Sequence, residues 1–175
     1  MIQAREFLKR EATDAYDVTD RLFAMLEPAD LSWKPPAGAN WMTVGQLLRH
    51  CTEACGVPIR GFVTGDWGMP DGRKIEDLPP EEMLPSAERL PSVSSLEEAH
   101  RLLAADRAVT LRSLDEVGES DLTAKKMAPP WGGPERTLFE HCCHMVAHLT
   151  QHKGQLFYYL KLMGRNVGTE HLWGA

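Results

Sequence analysis

The chain has 175 residues, 43% hydrophobic and 25% charged, ordinary proportions for one domain with a real core. Its 19 basic and 25 acidic side chains leave a net charge of −6. Without a basic run such a chain is a poor partner for nucleic acid, whose phosphates need clustered Lys and Arg. No apolar stretch approaches the roughly 18 residues that span a bilayer, and the N-terminus has neither a signal-peptide core nor an Arg-rich transit pattern. The expectation is a single mature domain over residues 1–175, cytoplasmic, with its four cysteines reduced and buried.

Pro and Gly cluster at 28–40, 65–92 and 118–136 and divide the chain into four helical candidates. The first covers about 2–27: Leu8, Ala12, Ala15, Thr19, Leu22 and Leu26 recur at spacings of three and four, one stripe of a helix, with Pro28 as its stop. The second starts at Thr43, where Thr43 and Gln46 form a capping box. Gly56 and Pro58 leave its far end open, because proline removes a backbone donor. The third covers about 95–117, with a second box from Ser95 and Glu98. The fourth covers about 137–163, capped by Thr137 and Glu140 and stopped by Gly164. No segment alternates with period two, so the fold class is all-α, an antiparallel four-helix bundle. The stretch of about 30 residues between the second and third helices is long for a compact domain. It reads as a crossover that lets those helices run the same way, or as a lid.

Four of the seven histidines lie close together in His141-Cys-Cys-His144-Met-Val-Ala-His148-Leu-Thr-Gln-His152. His148 and His152 are about 40° apart around a helix and about 6 Å apart along it, which suits one metal ion held between two imidazoles. The glutamate of an H-E-x-x-H protease is absent, because residue 149 is Leu, so that chemistry lacks its general base. A third ligand has to come from another helix, and His50, flanked by core-type residues, is the best placed. His141 and His144 remain open as alternatives, whereas His100 and His171 read as surface or capping residues. A di-iron bundle would need two E-x-x-H pairs, and only Glu97 to His100 has that spacing.

Three pieces of the chain resemble the DinB-like superfamily of metal-binding bundles. They are Leu31-Ser-Trp-Lys-Pro35 with Trp41-Met-Thr-Val-Gly-Gln-Leu-Leu-Arg-His50, then Trp131-Gly-Gly-Pro-Glu-Arg-Thr-Leu138, and finally His148-Leu-Thr-Gln-His-Lys-Gly-Gln-Leu156 with Leu160-Lys-Leu-Met-Gly164. The last is similar to the family's H-x-x-x-H-[RK]-G-Q-[LI] signature. The resemblance implies an up-down-down-up bundle with its long crossover between helices 2 and 3. It also implies a divalent metal (zinc, nickel or iron) on His50, His148 and His152. His144 falls where some relatives carry a further histidine. Leu149 stands where the family often has Glu, which puts a role for that carboxylate in doubt.

Characterised members imply a reaction: transfer or isomerisation that uses a low-molecular-weight thiol on a small electrophile, in a homodimer. A three-histidine site leaves positions for water or substrate, as catalytic sites do. The competing class is a non-catalytic metal-binding or stress-related scaffold, which a fourth protein ligand closing the shell would favour. Around the site, Trp33, Trp41 and Trp131 either wall a pocket or plug the end of the bundle. Arg49 and Arg136 read as ordinary exposed arginines or as partners of an anionic substrate, Cys51 and Cys142 as neutral core thiols or as neighbours of the metal, and Gly154 suggests close helix packing or a substrate passing the backbone. Met25, Met42, Met83, Met127, Met145 and Met163 fit a core better than a dimer surface.

Overall fold

The computed structural model describes residues 3–174. The chain is mostly helical, and among the described residues the one departure from all-α is a two-stranded ribbon. In order come α1 (Ala4–Phe23), α2 (Val44–Cys51), α3 (Gly56–Thr64), the short α4 (Pro80–Met83), α5 (Leu96–Glu116), α6 (Glu119–Ala124), β1 (Lys126–Met127), β2 (Arg136–Thr137), α7 (Leu138–Leu162) and α8 (Thr169–Trp173). The ribbon is antiparallel, with Lys126 opposite Thr137 and Met127 opposite Arg136. No helix among the described residues is long and apolar enough to cross a membrane.

Side-chain contacts fix the direction of each helix pair. α1 opposes α5: Lys9 meets Asp115 at 2.7 Å and Asp20 meets His100 at 2.6 Å. α1 runs with α7, since Phe7 lies against Phe139 while Glu11 and Cys143 line one groove. The α2–α3 segment opposes α7: Met42 reaches Tyr159, His50 reaches His148 and Phe62 stacks on His141. α3 runs with α5, from Gly56 beside Asp106 to Thr64 and Glu116 around one recess. The residues enclosed between these helices form the core, among them Leu8, Leu22, Leu47, Ile59, Leu114 and Leu156, each at most 1% exposed.

Two of the predicted caps form in full. Thr43 and Gln46 exchange bonds of 2.8 and 3.2 Å at α2, and Thr137 and Glu140 exchange bonds of 2.7 and 3.2 Å at α7. At α5 the box is only half made: Ser95 Oγ accepts from Glu98 N–H, but the Glu98 carboxylate turns to Ser94. The first helix is shorter than its stripe, because Met25 and Leu26 tighten into bonds to Leu22 and Phe23 before Pro28 opens a 3₁₀ turn. Gly154 does not mark close packing, since a Cβ there would meet nothing within 4 Å.

The second helix is interrupted between Thr52 and Cys55 and restarts with Pro58 in its first turn, where a missing N–H costs no helical bond. The unpaired backbone donors of the restart are taken by Asp106 of α5: its carboxylate accepts from Gly56 N–H at 3.0 Å and Val57 N–H at 3.2 Å, and also from the Tyr16 hydroxyl of α1 at 2.6 Å. Residue 56 must be glycine here, because a Cβ would sit 2.4 Å from Asp106. Burial pushes the Asp106 carboxyl up to about 6, against the downward pull of those three donors.

Candidate metal centre

The break in the helix shapes the site. His50 stands in the last turn of α2, opposite His148 and His152 one turn apart on α7. Their ligand atoms all lie within 4.8 Å of one another, a group able to hold a metal ion. His50 Nε2 is 3.1 Å from His148 Nε2.

The other nitrogens show which atoms are free. His148 Nδ1 lies 3.1 Å from the Ala54 carbonyl; a carbonyl only accepts, so Nδ1 carries the proton and Nε2 keeps its lone pair. That carbonyl is available because its helical partner would be the N–H of residue 58, which is proline. His152 Nδ1 donates to Gln155 Oε1 at 3.0 Å. Gln155 is oriented in turn: its Nε2 donates to the Tyr159 hydroxyl at 3.0 Å, and that hydroxyl donates to the Met42 carbonyl at 3.0 Å. Both α7 histidines are thus held by outer partners with Nε2 turned inward, the arrangement that fixes metal-binding imidazoles.

All three rings are held neutral, as ligands must be. Burial lowers His50 to about 4, with the neighbouring His152 and His148 adding to the effect. Burial also lowers His148 and His152, against the pull of Ala54 and Gln155 respectively. The donor set fits a borderline divalent cation such as zinc, nickel or iron.

The remaining candidates separate from this cluster. His144 is exposed and outside it. His141 is buried, stacked on Phe62 at 4.2 Å, and its Nε2 donates to the Met127 carbonyl at 2.8 Å, tying α7 to the ribbon. His100 pairs with Asp20, and His171 accepts from Gly168 N–H at the start of α8. Cys51 and Cys142 are buried outside the cluster, and burial pushes each thiol up to about 12.

A cavity of about 620 Å³ opens over the three histidines. Of Trp33, Trp41 and Trp131, read as either wall or plug, only Trp131 lines it. Trp33 and Trp41 instead pack edge-on against Tyr159 at 5.2 and 6.2 Å, plugging the end of the fold. The second aromatic wall is Trp67, which lies in the long loop where no periodicity marks it. Met42, Met83 and Met145 line the cavity too.

The 65–93 stretch is both crossover and cover. It joins α3 to α5, and Ile75, Met83, Leu84 and Leu90 from it face the cavity. Its far end is fastened by Gln46 to the Glu88 and Leu90 carbonyls and by Asn40 to Ala87 N–H. Neither candidate arginine is among the cavity's described lining residues: Arg49 pairs with Glu53 one turn along, and Arg136 belongs to β2.

A family model described as the DinB superfamily matches residues 11–156. No curated protein and no solved structure matches the chain.

Proposed function

The chain belongs to the DinB superfamily, and on that premise we propose that it is a metal-dependent enzyme acting on a small molecule, with one divalent ion on Nε2 of His50, His148 and His152. The carrying observation is the inward convergence of three neutral imidazoles, two of them tied through Nδ1 to Ala54 and Gln155. A metal so bound supplies Lewis acidity and lowers the pKa of a bound thiol or water. The protein's own groups do the rest. The Ala54 carbonyl and the Gln155–Tyr159 pair hold the imidazoles in the required tautomer. The cavity walls exclude water and position an acceptor. Glu53, paired with Arg49, adds a carboxylate to the cavity wall.

The reaction we assign is thiol-dependent S-transfer or isomerisation on a small electrophile, with a low-molecular-weight thiol as co-substrate. The directions of the helix pairs support an up-down-down-up four-helix bundle around the site. We further propose a cytoplasmic homodimer, to whose interface Tyr158 and Leu162, exposed one turn apart on α7, would contribute. The scaffold reading is less well supported, because a cavity opens over the cluster and no fourth His, Cys, Asp or Glu joins it among the described residues.

The test is elemental mass spectrometry on untagged protein reconstituted with zinc or nickel, beside His50→Ala, His148→Ala and His152→Ala. About one metal per chain, lost or much weakened in each variant, is expected, followed by turnover in a screen of thiols against electrophiles. Wild-type protein that takes up no metal would overturn the proposal.

A further inference from the structure

The cavity has a chemical bias of its own. Its volume of about 620 Å³ lies in the usual range for small-molecule sites. One wall is aromatic and set in advance. Trp67 and Trp131 meet edge to face at 5.9 Å, and both lean on Phe62, at 5.0 and 5.7 Å. Trp67 is seated on bare backbone: a Cβ at Gly61 would fall 2.2 Å from its ring. The lining also includes the aliphatic and thioether groups of Val57, Ile75, Met83, Leu84, Leu90 and Met145.

Charge is scarce. Apart from the three neutral histidines, Glu53 is the one ionisable side chain among the described lining residues, and no Lys or Arg is among them. The nearest guanidinium on α2, Arg49, is engaged by Glu53 itself. A carboxylate or sulfonate entering here would lose water and find no side-chain cation in exchange, which is costly, whereas a flat apolar group gains area against two indoles.

We infer that the cavity takes an uncharged acceptor carrying a planar apolar group, seated against Trp67 and Trp131, and discriminates against anionic acceptors. This deepens the metal-enzyme reading and rests on it for the word acceptor. The binding preference is set by the walls and is read on metal-free protein, because a bound dication would itself attract an anion.

A matched pair of fluorescent probes tests it. N-phenyl-1-naphthylamine and 8-anilinonaphthalene-1-sulfonate share one ring skeleton and differ by the sulfonate. They would be titrated into EDTA-treated and into zinc-loaded protein. The neutral probe is expected to bind metal-free protein at least fivefold more tightly than the sulfonate, and Glu53→Gln is expected to narrow that gap. Gly61→Ala, which unseats Trp67, and Trp131→Ala are each expected to weaken the neutral probe at least fivefold, with helical circular dichroism unchanged. If Trp131→Ala does not fold, Leu84→Ala replaces it, since Leu84 is 68% exposed and dispensable to the core. A smaller preference, or wild-type affinity in folded wall variants, overturns the inference. Protein that binds the neutral probe but no zinc loses the metal reading and keeps this one. Protein that binds zinc but fails the probe comparison does the reverse.

Discussion

Asp106 joins three helices at one carboxylate, so its removal has a calculable effect. It accepts from the Tyr16 hydroxyl of α1 and from the first two N–H groups of α3. In Asp106→Ala the Tyr16 hydroxyl keeps Thr110 Oγ1 at 2.8 Å, but the two backbone donors lose their acceptor. An unpaired buried donor costs about 1–3 kcal/mol, so for the buried Gly56 N–H and the half-buried Val57 N–H together the loss should be roughly 2–6 kcal/mol, a large part of the usual 5–15 for a domain. Asp106→Asn keeps the shape but turns an amide NH₂ toward one donor, and should lose about 1–2 kcal/mol. The pH dependence separates the two roles of the group. Its folded pKa of about 6 is raised above the unfolded value near 3.9. The favourable contribution is therefore complete below about pH 4 and is lost as pH rises through about 6. Urea denaturation followed at 222 nm should show the advantage of about 1–2 kcal/mol of wild type over Asp106→Asn, present below about pH 4, cancelled or reversed above about pH 6, a change of roughly 2–3 kcal/mol. A pH-independent difference, or an alanine variant within about 1 kcal/mol of wild type, would refute the reasoning.

Gln155→Leu removes the acceptor that holds His152 Nδ1–H, and zinc affinity measured by competition with a chromophoric chelator should fall about 10–100-fold; wild-type affinity would show that the ring is oriented without Gln155. Zinc uptake at pH 6 should release fewer protons than the roughly two that three unperturbed imidazoles would give, because burial holds His50 at about 4 and lowers His148 and His152 as well. Calorimetry in buffers of different ionisation enthalpy reads that number, and a release near two contradicts the neutral cluster. Gly154→Ala should be neutral or stabilise by up to about 1 kcal/mol, since its Cβ meets nothing; a lowered thermal midpoint would mean that the backbone is approached closely at Gly154.

Local chemistry was the legible part. A hydroxyl or carboxamide three residues from its partner decides a helix start within one turn, so Thr43–Gln46 and Thr137–Glu140 could be read directly. The four-residue spacing of His148 and His152 likewise follows from helix geometry alone, and His50 followed from its apolar neighbours together with the family resemblance. What escaped depends on partners far along the chain. The restart at Gly56 is decided by an acid 50 residues away. Its trace was an Asp at a core position of the third helix, three residues after Leu103 and four before Thr110. Trp67 sits where it does because Gly61 leaves it room, a contact no periodicity encodes. Trp33 and Trp41 were compatible with wall or plug, and what decides is Tyr159, far along the chain, against which both pack edge-on. The ribbon is two residues per strand, too short to show an alternating pattern.

The interruption in the second helix binds these observations together. An unbroken helix from Val44 to Thr64 would consume the Ala54 carbonyl in a bond to residue 58 and would direct the N–H groups of residues 56 and 57 back along their own helix. With proline at 58, the carbonyl is left to His148 and the donors to Asp106. One substitution tests whether the proline or the break matters. In Pro58→Ala the new N–H can bond to Ala54, competing with His148 for the same oxygen, while the flexibility gained by the unfolded chain costs about 0.4–1 kcal/mol. The expected result is a zinc affinity lowered by about tenfold, at the low end of an outer-partner effect, with only a small change in the urea midpoint. Unchanged zinc affinity would mean that the carbonyl serves both donors through its two lone pairs, and that the imidazole is aimed by Asp106 holding the break open.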